Sequence, residues 1–244
     1  MSIEIIIFII RLPFPSNIPP SFSCCFPLPG QSTIGPVIRK TNLYMKRNFI
    51  LLALLSILPG AYGQEKLPNE LALQYASILT NYTKELHATP ITTHPDFTKP
   101  VGVRSEGFGG MVLPETGLKA ETLSKAGKEV TAVGQLWMVN IAPIDGDNVV
   151  PTSKLHMVHI VRGETEVDAA CCALGVQKSG SGLELLIYGK STTPLLRLPL
   201  KPASTSQDAP IDITAERTGD SGLVTLSIAG KFQASFKVTA SEGN

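Results

Sequence analysis

The chain has 244 residues, 43% of them hydrophobic and 17% charged, which is the range of soluble globular proteins and leaves room for one large core or two small ones. Residues 1–63 hold five of the 21 basic groups (Arg11, Arg39, Lys40, Lys46, Arg47) and one of the 20 acidic groups (Glu4), so the 181 residues that follow carry 16 basic and 19 acidic groups, a net of −3. A mildly acidic body without a basic stripe argues against nucleic acid or an anionic membrane surface as a partner.

Residues 1–44 carry seven prolines and the apolar run IEIIIFII, which is too short to span a bilayer, and they read as an unstructured leader. The next stretch, MKRNFILLALLSILPGAYGQ from Met45 to Gln64, has the parts of a secretory signal in order. Lys46 and Arg47 form a positive start, Phe49 to Leu58 an apolar run, Pro59 a helix breaker, and Ala61 and Gly63 the small residues before the cleaved bond. Cleavage is expected after Gly63. Translation is expected to begin at Met45, with residues 1–44 a mis-assigned start; the alternative is a long leader. Spanning a bilayer needs ~20 apolar residues, so no stable membrane anchor is expected after cleavage. The same cut removes Cys24 and Cys25 and leaves only the adjacent pair Cys171 and Cys172, which rules out a disulfide scaffold.

In the remaining chain, Leu67, Leu71, Tyr75, Ile78, Tyr82 and Leu86 recur at helical spacing, predicting an amphipathic helix over 69–87 capped by Asn69. Residues 88–110, rich in Pro, Thr and Gly, read as loop, so that 64–110 forms a helix-and-loop segment ahead of a β-rich domain at 111–244. A short helix is expected over 116–127, capped by Thr116 and stopped by Gly127. From Val130 the period becomes alternating. Val133, Trp137, Val139 and Ile141 fall on one face and Val130, Ala132, Leu136 and Met138 on the other, as in an interior strand. Seven further strands follow: KLHMVHIV, EVDAACCALGV, LELLIYG, PLLRLPL, IDITAE, LVTLSI and FQASFKV. Pro194 and Pro199 push the fourth of these towards a sheet edge. For the last two, a three-residue loop Ile228–Gly230 is expected, pairing Leu226 with Phe232 and placing Gly230 in the left-handed region. Eight closely spaced strands without intervening helices predict an antiparallel β-sandwich or barrel-like domain with an N-terminal amphipathic helix.

His156 and His159 are the first candidate metal ligands, but on a strand an odd spacing sends them to opposite faces. Cys171 and Cys172 diverge in the same way and read as buried free thiols, with a strained vicinal disulfide as the alternative. The imidazoles and sulfurs are therefore expected to be kept apart. Asp145 and Asp147 in IDGDN offer carboxylates at alternate positions, as calcium loops do, yet Asp-Gly is also ordinary turn chemistry. YGKST at 188–192 and GFGG at 107–110 lack the context of a phosphate cradle, and NYT at 81–83 fits a glycosylation acceptor inside a helix. His94, two residues before Asp96, is the pair a hydrolase would draw on for general base chemistry. No cofactor is implied. The expected protein is an exported, periplasmic or extracellular, non-catalytic binding or structural module whose partner is an extracytoplasmic protein or a carbohydrate. A secreted hydrolase or metal-dependent enzyme is the alternative reading.

Overall fold

The computed structural model describes residues 64–83, 91–105, 107–180 and 182–241. The leader, the signal stretch with its cleavage position after Gly63, and the expected last turn of the helix at 84–87 lie outside them. The described chain is mainly β, with every strand pair antiparallel. In chain order the strands are β1 (Glu65–Lys66), β2 (Val101–Ser105), β3 (Phe108–Pro114), β4 (Thr131–Val139), β5 (Ile141–Asp145), β6 (Asn148–Val149) and β7 (His156–Arg162). They continue with β8 (Thr165–Ser179), β9 (Gly182–Tyr188), β10 (Leu196–Pro202), β11 (Ile211–Thr218), β12 (Ser221–Ile228) and β13 (Phe232–Ala240). Helix α1 spans Asn69–Thr83 and the one-turn α2 spans Ala120–Ser124.

Thirteen strands replace the eight expected. The additions are β1, β2, β3, β5 and β6. Glycine conceals the pair β2 and β3: VGVRS and FGGMVLP lack an alternating side-chain pattern and read as loop. In the sheet the missing side chain is used, because a Cβ on Gly110 would already stand 3.4 Å from Ile213 Cδ1 of β11 across the interior. Pro143 masks β5 in a similar way.

The strand order β1-β2-β3-β4-β8-β9-β10-β13-β12-β11, with β7 also beside β8 and β5 beside β13, curls the sheet into a half-barrel. Its two ends meet where Lys66 Nζ of β1 lies 2.8 Å from Asp212 Oδ1 of β11. Strand β10 stands between β9 and β13 in the sheet, but its pairing with β13 is confined to Lys201 and Pro202; over Leu196–Leu200 it pairs with β9 alone, so Pro199 lies on a stretch that is an edge on one side, as its missing N–H requires.

Inside the curl, Val112, Leu136, Leu174, Ile187, Ile213 and Leu226 form a shared core. On the outside, Ala72, Ala76 and Leu79 of α1 share a second buried cluster with Leu113, Trp137, Ile160 and Cys171 of the sheet. Both faces of β4 and β8 are therefore buried. The phase of β4 is corrected at Val133, where the register against β8 shifts between Ala132 and Gly134. This bulge turns Val133 inward to join Leu136 and Met138, leaving Trp137 outside.

The stripe of α1 is also rotated from the expected one. Its buried line is Ala72, Ala76 and Leu79, while Tyr75, Ile78 and Tyr82 are only partly buried. Small residues bring the helix axis close to the sheet, and the larger ones flank the contact. Tyr82 ties the helix to the free edge of β7, its hydroxyl accepting from Val161 N at 3.1 Å and donating to Val161 O at 3.3 Å. For α2, the expected cap Thr116 instead donates to His94 O at 2.8 Å, and extended Lys119 precedes the helix without a side-chain cap.

The β12–β13 hairpin keeps the expected faces but not the expected register. Ile228 pairs with Phe232 and Leu226 with Ala234, around a loop of Ala229, Gly230 and Lys231. Both Ala229 (φ +52°) and Gly230 (φ +64°) are left-handed, and the loop keeps the predicted length of three residues but begins one residue later. A shift of two residues leaves every side chain on its original face, which is why apolar patterning alone did not exclude it.

Candidate functional site

A groove of about 340 Å³ lies between α1 and the outer face of the sheet. Strand pairing builds its floor in rows: Met111 of β3 pairs with Trp137 of β4, which pairs with Cys171 of β8. Alongside runs a row of Gly109, Val139, Ala169 and Val158. Ala169, Cys171 and Ala173 give β8 a low outer surface on which a helix can sit. Leu67 just before α1, with Tyr75, Ile78 and Leu79, makes the opposite wall, which explains why Leu67, Tyr75 and Ile78 are not fully covered. Trp137 is the one tryptophan of the whole chain, and its indole N–H donates to Gln135 Oε1 at 3.1 Å. Gln135 in turn donates to Thr93 Oγ1 at 2.8 Å, so the buried polar pair beside the floor is satisfied.

Two cations line this otherwise apolar groove, Arg104 of β2 and Arg162 of β7. Arg104 is held by Glu65, whose Oε2 is 3.0 Å from its Nη2. Arg162 has no carboxylate partner among the described residues. Burial raises the phenol of Tyr75 above its usual range, and the charges of Arg104 and Arg162 act in the opposite direction. Both guanidiniums therefore act on the same tyrosine in the groove wall. Among the described residues no aspartate or glutamate lines the groove.

The residues singled out from sequence fall elsewhere. His94 and Asp96 are engaged with different partners, because the segment they occupy is laced to the end of β3 through a Pro95–Glu115 bridge. His94 Nδ1 lies 3.1 Å from Glu115 Oε1, and its backbone N–H donates to the same carboxylate at 2.8 and 2.9 Å. Asp96 accepts from the hydroxyl and the N–H of Thr98, which hold its carboxyl below the usual range. Asp145 and Asp147 stand exposed in the β5–β6 hairpin, where Asp145 pairs with Asn148. Among the described residues no three His, Cys, Asp or Glu side chains converge as a metal set.

His156 and His159 face opposite sides of β7, His156 half-buried and His159 exposed. The nitrogen Nδ1 of His159 lies 2.8 Å from Asp168 Oδ1, which raises its pKa, whereas burial and then the charge of Lys190 lower that of His156. One expected separation is corrected. His156 pairs across the ladder with Cys171, so this imidazole and this thiol share the outer face. Strand pairing, which spacing along one strand does not reveal, makes them neighbours. Their electrostatics oppose a nucleophilic pair: burial pushes the Cys171 thiol well up and the imidazole down, away from thiolate and imidazolium.

Both cysteines are free and fully buried, Cys171 outside the sheet and Cys172 in the inner core. Burial pushes the Cys172 thiol up to about 12. Iodoacetamide at pH 8 should leave both unmodified in the folded protein and alkylate both in guanidinium, as read by peptide mass mapping. Rapid modification of either thiol in the native state would show that the helix or the sheet opens far more readily than this packing allows.

The groove residues were not found from sequence, although one signal was present. Arg162 stands in phase with Val158 and Ile160, so a charge continues an apolar face. Compared with protein-family models, with curated proteins and with solved structures, the chain matches none.

Proposed function

We propose that the chain is an exported, non-catalytic binding module of sandwich or barrel type that takes a small hydrophobic ligand in the groove between α1 and the sheet. The observation that carries this reading is the groove itself, a concave and largely apolar space with a few polar groups at one tyrosine. Export rests on the secretory pattern of residues 45–63. A carbohydrate fits the groove less well than an apolar body does, because a sugar would leave its hydroxyls facing Met111, Trp137 and Val139 without hydrogen-bond partners.

The neutral dye N-phenyl-1-naphthylamine tests this on the full chain. Bound in the groove, it should become fluorescent, with energy transferred from Trp137. Val139→Phe and Val167→Phe add bulk to partly buried groove positions and should each reduce binding about tenfold or more while leaving the melting temperature close to that of the parent. Absence of transfer from Trp137, or unchanged binding in both stably folded variants, would remove the groove as the ligand site.

A further inference from the structure

We infer that the ligand is an amphipathic anion, an apolar chain or ring carrying one carboxylate-type head, seated with its tail over Trp137 and its head at Arg104, Arg162 and Tyr75. This rests on the groove being the ligand site and adds the chemical class of what enters it.

Three observations on independent elements agree. The floor and the helix wall are apolar, and so select for a hydrophobic body. Among the described residues the charged groups lining the groove are both guanidiniums, contributed by β2 and by β7, which lie on opposite sides of the β3-β4-β8 floor. The compensation available to them is incomplete, since Glu65 engages Arg104 while Arg162 has no carboxylate among the described residues. Arg162 is exposed where it lines the groove, and a planar carboxylate that accepts two parallel N–H bonds would replace water there with charge-assisted hydrogen bonds. The Tyr75 hydroxyl makes no hydrogen bond to the described residues and supplies a neutral donor from the helix side. A neutral hydrophobe would leave these donors unanswered. A cation would be repelled by both arginines.

Sodium dodecanoate, dodecanol and dodecyltrimethylammonium share a tail and differ in head charge, and Trp137 reports occupancy through its emission because it is the one tryptophan present. Titrated into the full chain below their micelle-forming concentrations, dodecanoate should bind on the order of tenfold more tightly than dodecanol, as a charge-assisted hydrogen bond implies. The ammonium compound should bind weakest. Arg162→Gln should abolish the preference for dodecanoate, bringing its affinity to that of dodecanol in the same variant, and Arg162→Lys should retain part of it. Equal or tighter binding of the alcohol or the ammonium compound overturns the anion assignment and leaves the groove reading standing. If none of the three moves Trp137 emission, the groove reading falls and the anion assignment falls with it.

Discussion

Gly134→Ala should destabilise the fold by about 3 kcal/mol or more, a large loss for the addition of one methyl group. Gly134 sits in the β4 bulge at φ +146°, a backbone conformation that alanine rarely adopts. A Cβ built there would overlap the carbonyl oxygen of Leu113 and lie 3.0 Å from Pro114 Cα and 3.1 Å from Glu115 N. All three are backbone atoms of the paired strand, so no side chain can rotate away to relieve the clash. The same backbone is held from the other side by Glu115 N–H donating to Val133 O at 2.8 Å. Removing the bulge would turn Trp137 inward and Leu136 outward, disturbing both clusters, so the strain cannot be escaped by a change of register. Guanidinium denaturation compares the variant with its parent. A difference below about 0.5 kcal/mol would mean that the bulge is not where the ladder places it.

Leu174→Ala should cost about 2–5 kcal/mol, the range for deleting a buried leucine. Leu174 is fully buried in the inner core and lies on β8 between Gly134 of β4 and Ile187 of β9. Its neighbours are fixed by ladders on both sides, so the space left behind cannot collapse. Leu223→Ala on β12 is the matched control, since Leu223 is 37% exposed on the face away from Val224 and Leu226. That change should shift stability by less than about 0.5 kcal/mol. If the two substitutions cost the same, the division of the sheet into an inner packed face and an outer face would be wrong.

These two positions show which features could be read from the chain and which could not. Leu174 was legible in part: it stands in EVDAACCALGV, which reads as a strand, and alternation places Cys172 and Leu174 on one face. Gly134 was not. A glycine between Val133 and Gln135 leaves the alternation of its neighbours apparently unbroken, and the bulge exists because β3 and β8 make different demands on β4. The hairpin at Ala229 and Gly230 lies between these cases, because parity gave the faces and only the turn geometry gave the register.

The groove follows the same division. Tyr75 and Ile78 belong to the apolar stripe predicted for the helix, but its buried line is Ala72, Ala76 and Leu79, one position away. The displaced large residues then wall the groove. Arg104 and Arg162 are 58 positions apart and carry no motif. Pairing of β2 with β3 and of β7 with β8 is what brings them to opposite sides of one floor.

By itself the sequence determined the mainly β character, the faces of the β12–β13 hairpin, and the opposite orientation of His156 and His159, because each depends on alternation within an unbroken strand. The tertiary structure alone decided the number of strands, the bulge, the meeting of His156 with Cys171 and the assembly of the groove. Each of these depends on which strand lies beside which, and that is settled by packing between segments distant along the chain, where local periodicity carries no information.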